Sequence, residues 1–249
     1  MGPDSTPAHP LLASPLVLSN PLVYAVRMTS PLLPATETLS AENTECALTA
    51  TISFPQPETL QLTYHVRNND TVPLYLLNQL WQDIRRNPAT NQPQAEVPSN
   101  LVNIVARDEW VKISKAIPEI PFGLLVEVPY MPGMLRLEPG ADFTQTITLP
   151  VPLRPYTTYE SNLPDGPLVT RLLHFELGYL RGLAHVVEAA TPLATTTGEA
   201  IFSTPHFPAK HQSVIAVGPF REALPVVSQP GSLSSRPRPA SPDKWTPWS

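Results

Sequence analysis

The chain has 249 residues, 42% of them hydrophobic and 15% charged, which is enough to bury a sizeable core. A net charge of −5, with Arg and Lys scattered along the chain, leaves no basic surplus to neutralise a phosphate backbone, so nucleic acid is excluded as an expected partner. With 33 prolines against 10 glycines, more than twice the usual ~5% Pro, helix interiors are disfavoured and short strands joined by stiff connections are expected.

Residues 1–45 read as an extended, Pro-punctuated leader, partly ordered through 16–26. Residues 5–26 carry no Asp, Glu, Lys or Arg, but Pro7, Pro10, Pro15 and Pro21 interrupt the run, so no membrane span is expected. Asp4 stands where a secretory signal would carry Lys or Arg. Translation starting at Met28 is the alternative reading of this segment. The single Cys46 excludes an intramolecular disulfide and suits a reducing compartment, which favours a cytoplasmic location. Its place at the head of the run CALTATISF makes it a small core side chain.

From Cys46 onwards the period-two pattern is regular. In LQLTYHVRNNDTVPLYLLNQLW (60–81), Leu60, Leu62, Tyr64 and Val66 fall on one face and Gln61, Thr63, His65 and Arg67 on the other. The Asn68-Asn69-Asp70-Thr71 turn after them reads as a hairpin. The run behind it is apolar on both faces apart from Asn78 and Gln79, as suits a strand in the middle of a sheet. Residues 82–100 are polar and Pro-bearing and read as a long loop. A second hairpin is expected from 101–107 and 110–117 around Asp108-Glu109. Residues 118–122 break the pattern before a further apolar run at 124–130. LRLEPGAD ends a strand in a Pro-Gly turn and feeds FTQTITL, whose Thr144, Thr146 and Thr148 make a wet face opposite Phe143, Gln145, Ile147 and Leu149. A Pro-rich loop follows at 151–168.

TRLLHFELGYLR (170–181) is the clearest strand, with Leu173, Phe175, Leu177 and Tyr179 alternating against Leu172, His174, Glu176 and Gly178. Residues 184–190 fit either an extension of that strand or a short helix. Short strands are expected at 200–203 and 211–220. Beyond 220 the composition turns to Ser, Pro and Arg, and residues 221–249 read as a disordered tail. Within it, Arg236-Pro237-Arg238-Pro239-Ala240-Ser241-Pro242 is compatible with a polyproline II ligand, with Trp245 and Trp248 as anchors.

Seven to ten short strands without alternating helices are the pattern of an all-β antiparallel sandwich occupying 46–220. LTYHVRNND, the apolar strand after it, LRLEPGADF and FTQTITLPVPL together resemble the immunoglobulin-like β-sandwiches of bacterial accessory domains and of the bacterial intracellular proteinase inhibitor family. The resemblance covers about residues 46–220 and implies two packed antiparallel sheets. No functional residue is carried over from it, and the Cys pair of antibody domains is absent.

No GxSxG elbow, Gly-rich phosphate loop, HExxH or CxxC is present, and no cofactor is expected. The first functional expectation is therefore a soluble, non-catalytic module that binds another protein through loops at one end of the sandwich. Arg85 and Arg86 in the first long loop, and Arg154, Tyr156, Tyr159 and Glu160 in the second, have the composition of a protein contact. The plainer reading of those loops is a set of rigid spacers. The second expectation is a metal-dependent hydrolase in which His174, Glu176 and His211 converge, since a metal needs at least three such ligands; His206 stands five residues before His211. Separate surface histidines explain the same residues, and His65 reads as solvated sheet surface. Asp108, Glu109 and Trp110 suit either a carboxylate pair beside an aromatic platform or a hairpin tip followed by a buried Trp. The third expectation is a structural subunit whose exposed strand edges pair with neighbours.

Overall fold

The computed structural model describes residues 36–161, 163–205, 207 and 209–233. The leader segment 16–26, His206 and the tail residues 234–249 lie outside the described residues. Among those described, the chain runs first through β1 (Glu37–Glu42), β2 (Cys46–Gln56), β3 (Thr59–Asn68), β4 (Leu74–Gln79), β5 (Asp83–Arg86) and β6 (Pro93–Glu96). It continues through β7 (Asn103–Ala106), β8 (Trp110–Lys115), β9 (Gly133–Leu137), β10 (Asp142–Pro150) and β11 (Leu168–Arg181). A short helix, α1 (Ala184–Ala189), precedes β12 (Thr191–Thr195), β13 (Ala200–Ser203), β14 (Ser213–Val217) and β15 (Ala223–Val227). The protein is all-β, as its proline content and period-two runs require.

The strands form two sheets. The smaller is wholly antiparallel in the order β1-β2-β3-β10; the larger runs β5-β6-β12-β13-β9-β4-β11-β8-β7, with β14 and β15 also paired to β11. One core joins them. Leu60, Leu62, Tyr64 and Val66 of β3 are fully buried, as are Leu173, Phe175 and Leu177 of β11, and the rings of Tyr64 and Phe175 lie 5.1 Å apart. Each such side chain contributes about 1.5–3 kcal/mol on burial. On β3 the alternate residues His65 and Arg67 are exposed, and on β10 the threonines face water while Ile147 and Leu149 face in.

Residues 60–81 do not form a hairpin. β3 belongs to the small sheet and β4 to the large one, so the Asn68 turn carries the chain across the core instead of back along its own sheet. The reason lies in Asn68, which is buried and whose amide donates to Val72 O at 3.0 Å and to Leu137 O at 2.9 Å, while its Oδ1 accepts from the Asp70 N–H at 2.9 Å. The Pro139-Gly140 turn crosses in the opposite direction, from β9 to β10, and the two crossings brace each other: Gly140, at φ +74°, donates its N–H to Asn68 O at 2.9 Å, and the Asn68 N–H donates to Ala141 O at 3.0 Å. Arg181 adds an ion pair to Asp70 at 2.7 Å.

Further differences follow from long-range pairing. β8 runs parallel to β11, with Leu172 opposite Trp110 and Leu177 opposite Lys115, and β6 runs parallel to β12, so the large sheet is mixed instead of purely antiparallel. A parallel neighbour needs a long connection, and the excursion from β8 through the small sheet and back supplies it. Residues 82–100 contain the β5–β6 hairpin, whose loop is organised by Asn87 Oδ1 accepting the N–H groups of Ala89 and Thr90 and by Asn91 in the left-handed region. Residues 124–130 form no strand. Residues 184–190 resolve as α1, with Val186 buried. Order also reaches past both expected limits of the domain: β1 falls within the expected leader and β15 within the expected tail, where Leu224 and Val226 alternate into the core against β11.

Candidate functional site

The residues of β8 and β11 that alternate with core positions emerge on the outer face of the large sheet. Because the two strands are parallel and in register, His174 stands beside Lys112 and Glu176 beside Ser114. Glu176 Oε1 accepts from Lys112 Nζ at 2.9 Å and from Ser114 Oγ at 2.8 Å. The His174 imidazole packs edge-on to Trp110, 6.2 Å between ring centroids, and burial followed by the Lys112 charge holds its pKa below the usual 6.5. Trp110 is half-buried and turned to this face, with Asp108 and Glu109 exposed at the hairpin tip before it.

Over these residues lies a cavity of about 510 Å³. Its floor includes Trp110, Lys112, Glu176 and Val214, and its walls come from the Pro-rich loop 117–131, from Tyr159, and from Phe207 and Lys210 ahead of β14. The loop is fastened at both ends. The Gln212 side-chain amide accepts from the Ile117 N–H and donates to Ile117 O, both at 2.9 Å, imitating a strand partner. At the other end the Tyr130 N–H donates to the Tyr159 hydroxyl at 3.0 Å, the Trp81 N–H donates to the Tyr130 hydroxyl at 2.7 Å, and Trp81 Nε1 donates to Met131 O at 2.7 Å. Burial pushes the Tyr130 phenol above its ordinary pKa, so it stays protonated and can also donate to Trp81 O. Between these anchors Phe122, Leu125 and Val128 are 68%, 98% and 78% exposed.

The expected site residues are divided by this arrangement. Tyr159 borders the large cavity; Tyr156 and Glu160 border a smaller one of about 130 Å³ beside it. The Tyr156 backbone pairs with that of Ile104, and Glu160 accepts the Leu233 N–H at 2.6 Å and the Ser232 hydroxyl at 3.2 Å. Arg154 pairs with Asp165 and lines neither cavity. Arg85 pairs with Asp83 at 3.0 Å and Glu96 at 2.9 Å, and Arg86 donates to Asn91 O at 3.0 Å; both belong to the β5–β6 hairpin, at the opposite end of the large sheet from β7. The two long loops therefore do not make one surface.

His174 and Glu176 share a face, but the Glu176 carboxylate is taken up by Lys112 and Ser114, and His211 sits on an exposed single 3₁₀ turn, Ala209–His211. Among the described residues no three His, Cys, Asp or Glu side chains converge as a metal-holding group. Lys112, Phe122, Val214 and Lys210 had no sequence signal that singled them out. The spacing of Pro118, Pro121, Pro129 and Pro132 around apolar residues without period two was the available hint that 117–131 is a presented loop.

Among the described residues no helix is long and apolar enough to cross a membrane. Comparison with protein-family models, with curated proteins and with solved structures found no match.

Proposed function

We propose that the protein is a non-catalytic binding module, an immunoglobulin-like sandwich that holds a protein partner on the outer face of its large sheet. The two-layer core and the braced pair of crossings support the likeness to that sandwich class. One observation carries the binding reading: the groove of about 510 Å³ continues into a loop whose Phe122, Leu125 and Val128 are displayed to solvent between firm anchors. A volume in this range suits specific recognition, and apolar side chains held in water beyond the groove favour a macromolecular partner over a small molecule. The loop differs from those expected to bind, and of the 151–168 segment Thr157 and Tyr159 border the groove.

The test is to pan a random-peptide library on the purified full chain and to counter-screen with Trp110→Ala and Val214→Glu, which alter the groove floor on its solvent side. A family of related peptides whose binding falls at least tenfold in variants of unchanged melting temperature supports the reading. Enrichment of no sequence family, or binding indifferent to both variants, defeats it.

A further inference from the structure

The chain beyond β15 is carried to the rim of the large groove. Ser228 O accepts the Gly166 N–H at 2.6 Å, the Ser228 N–H donates to Pro167 O at 2.9 Å, and the Gln229 side-chain amide donates to Pro155 O at 3.0 Å, which lays this stretch along the 151–168 segment. Gly231 turns it at φ +94°, and the Glu160 carboxylate then receives the Ser232 hydroxyl at 3.2 Å and the Leu233 N–H at 2.6 Å. Leu233 so becomes part of the groove lining, with Thr157 and Tyr159. The residues that come next in the sequence are Ser234 and Ser235, and then Arg236-Pro237-Arg238-Pro239-Ala240-Ser241-Pro242.

Trp110, Phe122, Tyr159 and Phe207 also line the groove. A polyproline II segment docks on aromatic walls of this kind because its pyrrolidine rings present flat apolar faces and its backbone is already extended, so little conformational entropy is lost. Reach is sufficient. Pro237 and Pro242 stand four and nine residues beyond Leu233, about 12 and 28 Å of polyproline II at ~3.1 Å per residue. Charge is nearly balanced in the lining, with Arg107, Lys112 and Lys210 against Glu119 and Glu176, so apolar contact decides the fit. We propose that residues 236–242 occupy the groove of their own chain, as an internal ligand that a partner must displace. The assignment rests on the groove being a peptide site. A short tether holds its ligand at about millimolar effective concentration, so a segment with a dissociation constant of about 0.1 mM fills the groove about nine-tenths of the time and weakens a competing peptide about tenfold.

The Val214 methyl signals and the Trp110 indole N–H signal of the full chain report on the groove floor, with Trp110→Phe assigning the latter. Pro237→Ser, Pro239→Ser and Pro242→Ser together remove the apolar faces of the internal ligand and change no residue of the groove. Both signals should differ between the wild type and this triple variant at every protein concentration, while those of the buried Leu62 and Leu173 stay in place. A synthetic peptide of residues 234–243 should bind the triple variant saturably and the wild type about tenfold more weakly. If the triple variant is unstable, Pro239→Ala alone is compared in the same way, with smaller shifts in the same direction expected. Groove signals identical in wild type and variant, or a peptide that binds both equally or neither, overturn the proposal. Shifts that grow with protein concentration assign the segment to a second copy and overturn it as an intramolecular contact. The two readings fail separately. Library peptides that bind wild type and triple variant alike remove the internal ligand and leave the groove a peptide site, whereas a library that yields nothing on either protein, with the 234–243 peptide still bound by the variant, removes only the foreign partner.

Discussion

Lys115 alternates with Ser114 on β8 and so points into the protein, where it is fully buried and donates to Asn78 O at 3.1 Å and Ser99 O at 3.3 Å. No carboxylate pairs with it among the described residues, and burial pushes its pKa down from 10.5 to about 7. Between those two values the unfolded chain keeps a proton on Lys115 that the folded chain has released, so stability rises with pH across that window, by up to about 1.4 kcal/mol per pH unit. Below about pH 7 both states carry the charge and the desolvation cost is present in full. Denaturant midpoints measured from about pH 6 to 10, the span of that titration, should climb more steeply for the wild type than for Lys115→Met. Parallel curves would show that the lysine is not buried as a titrating group. Asn68 is the second residue on which the interior depends. Asn68→Ala leaves Val72 O and Leu137 O without their donor, each at about 1–3 kcal/mol, and the midpoint should fall accordingly; a shift under about 0.5 kcal/mol, the usual range for surface changes, would refute the bracing role.

At the scale of elements, β11 organises the large sheet. On one edge it pairs with β15 and then β14, on the other with β8 and then β4. The passage from β14 to β15 is made at Gly218, whose φ is +129° and where a Cβ would lie 2.8 Å from His174 Nδ1 and 2.9 Å from His174 Cα. Backbone cannot yield as a flexible side chain does, so Gly218→Ala combines a disfavoured dihedral with an overlap and should cost about 1–3 kcal/mol. Thermal or denaturant unfolding of that variant checks it, and a wild-type midpoint would contradict the close approach. Gly178 has a similar task at the other end of β11, where an added Cβ would meet Ala116 Cβ at 2.8 Å and the Gln212 amide oxygen at 2.5 Å. That glycine lets Gln212 reach Ile117, and so sets the root of the groove loop on the sheet.

For the whole molecule, the decisive separation is between what holds the fold and what faces outward. Phe122 and Leu125 contribute almost nothing to the core, so the double change Phe122→Ser and Leu125→Ser should leave the melting temperature within the small range of surface substitutions, about 0.5 kcal/mol or less, while removing the apolar surface offered to a partner. Peptides selected on the wild type should lose at least tenfold in affinity for that variant. A large fall in stability would mean that the loop is a structural cover.

The strand positions were legible in the residues themselves, because burial of alternate side chains leaves a period-two record: Leu60, Leu62, Tyr64 and Val66 on β3, and Leu173, Phe175 and Leu177 on β11, needed no coordinates to be placed inside. The scarcity of helix expected from the proline content is likewise a property of composition. Which strands became neighbours was a different matter. Asn68-Asn69-Asp70-Thr71 and Pro139-Gly140 have the same local chemistry whether they close a hairpin or carry the chain between layers, and the choice depends on a buried amide reaching Leu137, 69 residues away. Lys112 and Glu176 are 64 positions apart by their numbers and touch only because β8 lies parallel to β11; Arg107 and Arg171 meet for the same reason. Local patterning records which face of a strand is dry, since each residue carries its own cost of exposure. It does not record partners, since pairing energy belongs to two distant segments at once and exists only after the chain has closed on itself.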